Sequence, residues 1–168
     1  MVDNFNEKSD FIWSIADLLR GDYKQSEYQK VILPLTVLRR LDCVTERNKD
    51  EVLERYEQLQ EQGIENVAPS LKKAADAQVY NTSEYTFESL CNDPDDIAEN
   101  LQYYINQYDE ETKEIFEKFA FNHQIDRLAD ADLLYKVVRQ FAEIDLHPEE
   151  VPNEEMGYIY EELIRKFN

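Results

Sequence analysis

The chain has 168 residues and a formal net charge of −19 at pH 7. Hydrophobic residues make up 42%, enough for one buried core, while three glycines and five prolines are too few for the turns of a many-stranded β-sandwich. No apolar segment approaches the roughly 18 residues of a transmembrane helix, and the N-terminus lacks a signal-peptide pattern. Together with two isolated cysteines, these features predict a soluble, cytoplasmic, mostly helical domain.

The charge is unevenly distributed along the chain. Residues 1–50 carry 8 Lys/Arg and 9 Asp/Glu, whereas residues 51–168 carry 10 and 28. Because affinity for a polyanion comes from cation–phosphate contacts, we expect the isolated chain to bind duplex DNA weakly at physiological salt. The acidity is typical of a soluble bacterial cytoplasmic protein. A DNA-mimicking surface and a face for a basic partner remain alternatives.

Helical periodicity predicts a first helix from Ser9 to Arg20, ended by Gly21. A second helix begins at a capping box formed by Ser26 and Gln29. Because this helix carries two apolar stripes, it should be covered on opposite sides and lie at the centre of the fold. Its interior proline is expected to bend it. The stripes consist of Val31, Ile32, Leu35 and Leu38, and of Leu33, Val37, Leu41 and Val44.

The remaining apolar residues also recur at helical spacing, and almost no segment alternates with period two. We therefore predict an all-α, irregular multi-helix bundle of about seven to nine helices, forming a single domain over residues 1–168. Within it, Ile115, Phe119, Ile164 and Phe167 are expected to face the core. The later helices are predicted at Asp50–Gln62, Ser70–Gln78, Thr86–Cys91, from Asp93–Pro94 onward, Glu111–Phe119, from Asn122, from Asp130 or Asp132 to His147–Pro148, and from Asn153.

No arrangement of residues predicts an active site or a metal site. His123 and His147 lie far apart, and neither has a second ligand at metal-binding spacing. Three dispersed glycines cannot form a phosphate-binding loop. Adjacent carboxylates on a helix point apart and do not form an acid–base pair. We therefore predict no catalytic, cofactor-binding or metal-binding residue in this chain.

The nearly neutral N-terminal part holds the candidate functional residues. They have two interpretations: a solvated face with local ion pairs to Asp42 and Glu46, or a local contact to DNA phosphate. In both, the arginines on the later turns of the second helix are expected at an exposed rim, where alanine changes stability by no more than about 1 kcal/mol. The candidate DNA-contact residues are Lys24, Lys30, Arg39, Arg40 and Arg47.

Two segments resemble one protein family. FIWSIADLLRG (11–21), followed by YQKVILPLTVLRRLD (28–42), resembles the opening of the modification (methyltransferase) subunit of type I restriction–modification enzymes. IDLHPEEVPNEEMGYIYEELIRKFN (144–168) resembles the segment that leads into that family's catalytic domain. The resemblance thus implies the N-terminal helical domain of such a subunit, with the catalytic domain beginning after residue 168.

The resemblance also implies what this part of the subunit does. The family's catalytic domain binds S-adenosylmethionine and methylates adenine through an Asn/Asp-Pro-Pro-aromatic motif; here Asn92-Asp93-Pro94-Asp95 has one proline and no aromatic residue. The implied function is therefore non-catalytic: assembly with a specificity subunit, a second modification subunit and a restriction subunit, and closure of the complex around DNA. S-adenosylmethionine belongs to the parent subunit. The alternative is a free-standing acidic interaction module or DNA mimic.

Overall fold

A computed structural model describes the backbone of residues 2–167 and the side chains of residues 6–166. The described chain holds ten α-helices, three short 3₁₀ turns and no β-strand, so the predicted all-α bundle is confirmed, with one helix more than the upper end of the predicted count. The α-helices are α1 (Val2–Ser14), α2 (Gln29–Glu46), α3 (Lys49–Glu61), α4 (Ala68–Ala75), α5 (Phe87–Leu90), α6 (Ile97–Asn106), α7 (Glu110–Lys118), α8 (Phe121–Asp130), α9 (Leu134–Ala142) and α10 (Asn153–Phe167).

The N-terminal helices depart from the prediction in two places. Helix α1 begins well before Ser9, and the segment 15–19 continues it as a 3₁₀ turn. Gly21 ends this unit with φ +96°, a conformation that glycine adopts without steric cost. The predicted capping box at Ser26 is wrong: the Glu27 carboxylate accepts a hydrogen bond from the backbone N–H of Lys24 at 2.9 Å, within a separate 3₁₀ turn before α2.

Helix α2 lies at the centre of the fold, as its two apolar stripes predict. It packs against α1, α8, α9 and α10. Its first stripe is fully buried, and Leu33, Val37 and Leu41 of its second stripe are partly buried against the same core. Pro34 lies within α2, which continues uninterrupted from Gln29 to Glu46. The central helix therefore holds its neighbours in place from several sides.

Helices α3 and α4 form a hairpin with a small apolar cluster of its own. Val52, Leu59 and Leu71 are buried there, and Tyr80 joins them from the segment that follows. Gly63 ends α3 with φ +70°. The main core contains none of these side chains, so the hairpin is a satellite of the bundle.

Two predicted inward positions, one on α7 and one directly after it, are wrong. Phe116 is buried, but Ile115 is 43% and Phe119 is 40% exposed. The reason is geometric: α7 packs on α6 and α8 along a narrow face that contains Thr112 and Phe116. Ile115 precedes Phe116 by one residue, about 100° around the helix, and Phe119 follows the last residue of α7, so neither lies on that face.

Helix α10 packs along α1 and closes the bundle. Met156, Ile159 and Leu163 are buried as predicted, whereas Ile164 is 44% exposed and the prediction for it is wrong. The predicted inward position of Phe167 lies outside the described side chains. None of the helices described is both long enough and apolar enough to cross a membrane.

Candidate functional site

Arg39 is buried and does not lie on an exposed rim. Its Nε donates to the carbonyl of Ile144 at 2.9 Å and its Nη2 to the carbonyl of Ala142 at 3.1 Å. Its Nη1 donates to Oδ2 of Asp42 at 2.8 Å. The guanidinium also lies over the ring of Phe87, 5.7 Å from its centroid. Only 6% of Arg39 is exposed, so little of its guanidinium is accessible to a phosphate.

Arg40 is buried in the same way, one position along α2. Its Nη1 donates to the carbonyls of Leu146 at 2.8 Å and Val151 at 2.5 Å, and its Nη2 donates to Oδ1 of Asn153 at 2.9 Å. Burial lowers the pKa of its guanidinium. Asn153, at which the last helix is predicted to begin, is the first residue of α10 and directs its side chain to this arginine.

The expected exposure of Arg39 and Arg40 is therefore wrong. The carbonyls at the end of α9 and in the segment 143–152 lack helical partners, and the two arginines supply donors for them. This arginine pair, Arg39 and Arg40, fixes the path of the chain from α9 to α10 over α2. Buried charges need such complete pairing, because an unpaired one is very costly.

Asp42 is the centre of a buried polar network beside the arginine pair. Its carboxylate accepts from Arg39, from the backbone N–H of Phe87 at 3.2 Å and from the hydroxyl of Tyr104 at 2.7 Å. The hydroxyl of Tyr104 is also 2.6 Å from that of Tyr108. Burial raises the pKa of Asp42, while the hydrogen bond from Tyr104 and the charge of Arg39 oppose that rise. The network joins α2, α5 and α6 and stabilises the fold.

Lys49 is a third buried cation, at the first residue of α3. Its Nζ donates to Oδ1 of Asn81 at 3.3 Å and lies 5.8 Å from the ring centroid of Tyr104. Burial lowers its pKa from 10.5 to about 8. Oδ1 of Asn81 also accepts from the N–H and the hydroxyl of Ser83, so it retains partners without the lysine.

Replacing Lys49 by methionine should remove a pH dependence of stability. Between about pH 8 and pH 10 the unfolded chain holds a proton at Lys49 that the folded chain has lost, so the free energy of unfolding of the natural protein should rise. Relative to the Lys49→Met variant, we expect a gain of about 1–2 kcal/mol by pH 9.5. Urea melts at several pH values measure it. Tyrosine titration acts equally in both proteins, and parallel pH profiles would show that Lys49 is not buried as an ammonium group.

Three of the five candidate cations are exposed: Lys24, Lys30 and Arg47. They do not form one patch. Lys30 lies at the start of α2 and Arg47 directly after its end, roughly 25 Å apart along the axis at 1.5 Å per residue. Arg47 forms an ion pair with Glu149, and both side chains are 62% exposed.

A cluster that the sequence analysis missed lies beside Lys24. The guanidinium of Arg127, on α8, lies 3.8 Å from the ring centroid of Tyr23 and donates to both carboxylate oxygens of Glu27. The hydrogen bond from Arg127 lowers the pKa of Glu27 to about 2. Burial raises the pKa of Tyr23 to about 12. Since these residues lie about 100 positions apart in the chain, no local pattern could have indicated the cluster.

Taken together, these features define an all-α domain in which buried arginine side chains hold the connection from α9 to α10. The family model of the HsdM N-terminal domain matches residues 8–141. The chain therefore belongs to this family, the N-terminal domain of the modification subunit of type I restriction–modification enzymes. The segment 144–168 lies beyond the match. No curated protein matches the chain.

Proposed function

We propose that this chain is the non-catalytic N-terminal domain of an adenine-specific DNA methyltransferase subunit of a type I restriction–modification enzyme. The family match over residues 8–141 carries this proposal. The domain contributes to assembly and to closure of the complex around DNA. Its protein partners are the specificity subunit, a second modification subunit and the restriction subunit, in the cytoplasm. S-adenosylmethionine binds to the catalytic domain of the parent subunit and not to these residues.

The placement of the cations supports two separate roles: buried cations stabilise the fold, and exposed cations contact DNA. Arg39 and Arg40 hold the connection from α9 to α10, so they act on the fold. Of the candidates for DNA contact, Lys24, Lys30 and Arg47 keep their side chains at the surface. A domain with a charge of −19 then meets DNA through local cations, and its acidic surface faces solvent or protein.

Assembly is the test of the proposed function. The parent methyltransferase subunit and its specificity subunit are coexpressed with and without residues 1–168. We expect the intact subunit to form a complex that methylates its site, and the shortened subunit to lose methylation of duplex DNA while its catalytic domain still binds S-adenosylmethionine. Analytical ultracentrifugation and cofactor calorimetry separate the two effects.

Two results would contradict this function. If the shortened subunit assembled and methylated DNA at the full rate, the domain would have no part in the complex. If the isolated chain bound a basic protein, or displaced DNA from a basic protein, it would be an acidic interaction module. The charge of −19 also favours that second function.

A further inference from the structure

A surface groove between α9 and the 3₁₀ turn 15–19 carries cations to which the proposed function assigns no role. Its volume is about 420 Å³. Helix α9 supplies most of the lining, and one leucine comes from the first helical unit. The lining residues are Leu18, Tyr135, Lys136, Arg139, Gln140 and Glu143.

The two sides of α9 differ sharply in chemistry. Its buried side consists of Leu134, Val137, Val138 and Phe141. Its exposed side presents Lys136 and Arg139, and the helix itself contains no acidic residue. Positions three apart on a helix are neighbours, about 5–6 Å between Cβ atoms, so both cations face the same groove.

Neither cation of the groove is neutralised by a close ion pair. Most exposed arginines of this acidic chain have one: Arg20 pairs with Asp17 and Arg47 with Glu149. Within the part of the chain that the structure describes, no carboxylate lies within ion-pair distance of Lys136 or Arg139.

Acidic residues limit the groove at its edges. Glu143 lies at its end, one turn after Arg139. On the other side of Tyr135, a separate groove is lined by Asp95 and Asp132. The cationic surface is thus a narrow region, which suits a single strand of a DNA duplex passing over it.

We propose that this α9 groove binds the phosphate backbone of DNA in the assembled enzyme, with Lys136 and Arg139 contacting neighbouring phosphates. The inference rests on the proposed function. At physiological salt the Debye length is about 8 Å, so distant carboxylates are screened and the local cations determine the contact. Tyr135 and Gln140, both half-buried beside the cations, add a ring and an amide that can contact sugar or phosphate.

The test measures how the DNA affinity of the assembled enzyme depends on salt. The variant Lys136→Gln/Arg139→Gln is compared with Lys72→Gln/Lys73→Gln, which removes the same charge from α4 in the satellite hairpin. Each lost phosphate contact lowers the slope of log K against log [salt] by about 0.9. We expect the α9 variant to lower it by about 1.8 for each copy of the domain that contacts DNA, and the α4 variant to leave it unchanged.

Several outcomes would overturn the groove as a DNA contact. An unchanged slope in the α9 variant, or an equal decrease of the slope in both variants, would contradict it. Weakened assembly of the α9 variant with an unchanged slope would instead assign the groove to an acidic segment of a partner protein. Denaturant melts of both variants confirm that the fold is intact. Because assembly and methylation by the natural enzyme are measured separately, failure of the groove leaves the proposed function standing, whereas loss of assembly in the natural enzyme would contradict the proposed function itself.

Discussion

Replacing Arg39 by alanine should lower the free energy of unfolding by about 3–5 kcal/mol, because it leaves the buried carboxylate of Asp42 without its cation. The carbonyls of Ala142 and Ile144 lose their donors in the same step. Each buried acceptor left without a partner costs about 1–3 kcal/mol on its own. Urea melts of the natural domain and the variant measure the loss directly.

Arg47 provides the matched control for this prediction. It lies eight positions later, and its ion pair with Glu149 is exposed, so Arg47→Ala should change stability by no more than about 1 kcal/mol. The double variant Arg39→Met/Asp42→Asn should be less destabilised than the sum of its single variants, since both charges leave together. If Arg39→Ala lowered the free energy of unfolding by less than about 1 kcal/mol, Arg39 would be an exposed residue and again a candidate for DNA contact.

Leu35→Ala should cost about 2–5 kcal/mol, as for a well-packed core leucine. Leu35 has no exposed surface and lies on the stripe of α2 that faces the main core. The substitution creates a cavity beside helices that already depend on α2 for their position. For a domain of this size, such a loss is a large share of the total stability.

Leu33 is the control for the cavity, because it lies on the same helix but is only partly buried. Leu33→Ala should cost clearly less than Leu35→Ala, since less surface leaves the core and the site can fill with water. Helix propensity cannot produce such a loss, because alanine is a better helix former than leucine. Equal losses in the two variants would therefore contradict the deeper burial of Leu35.

The two predictions together redefine what the N-terminal part of the chain does. We expect Arg39 to contribute to the stability of the fold about as strongly as Leu35, although one is charged and the other apolar. Loss of DNA binding in an Arg39 or Arg40 variant would therefore report unfolding, and affinity has to be expressed per folded molecule. A change of charge tests DNA contact without disturbing the core at five exposed positions: Lys24, Lys30, Arg47, Lys136 and Arg139.

Some features of this protein follow from local sequence alone. The two apolar stripes of α2 predict its central place, because a helix that is apolar on opposite sides has to be covered on both. Gly21 and Gly63 end helices, since each adopts a positive φ. The scarcity of period-two alternation likewise predicts an all-α domain, and each of these signals acts over a few residues.

The burial of the arginine pair depends on tertiary structure. Arg39 and Arg40 find their partners more than 100 positions away, at carbonyls whose location depends on how α9 and α10 pack. On α7, Ile115 and Phe116 are adjacent and equally apolar, yet only the packing of α6 and α8 determines which one is covered. Sequence periodicity reports which side chains can be buried; whether a charge is buried depends on distant groups that pair with it, and these come together only in the folded chain.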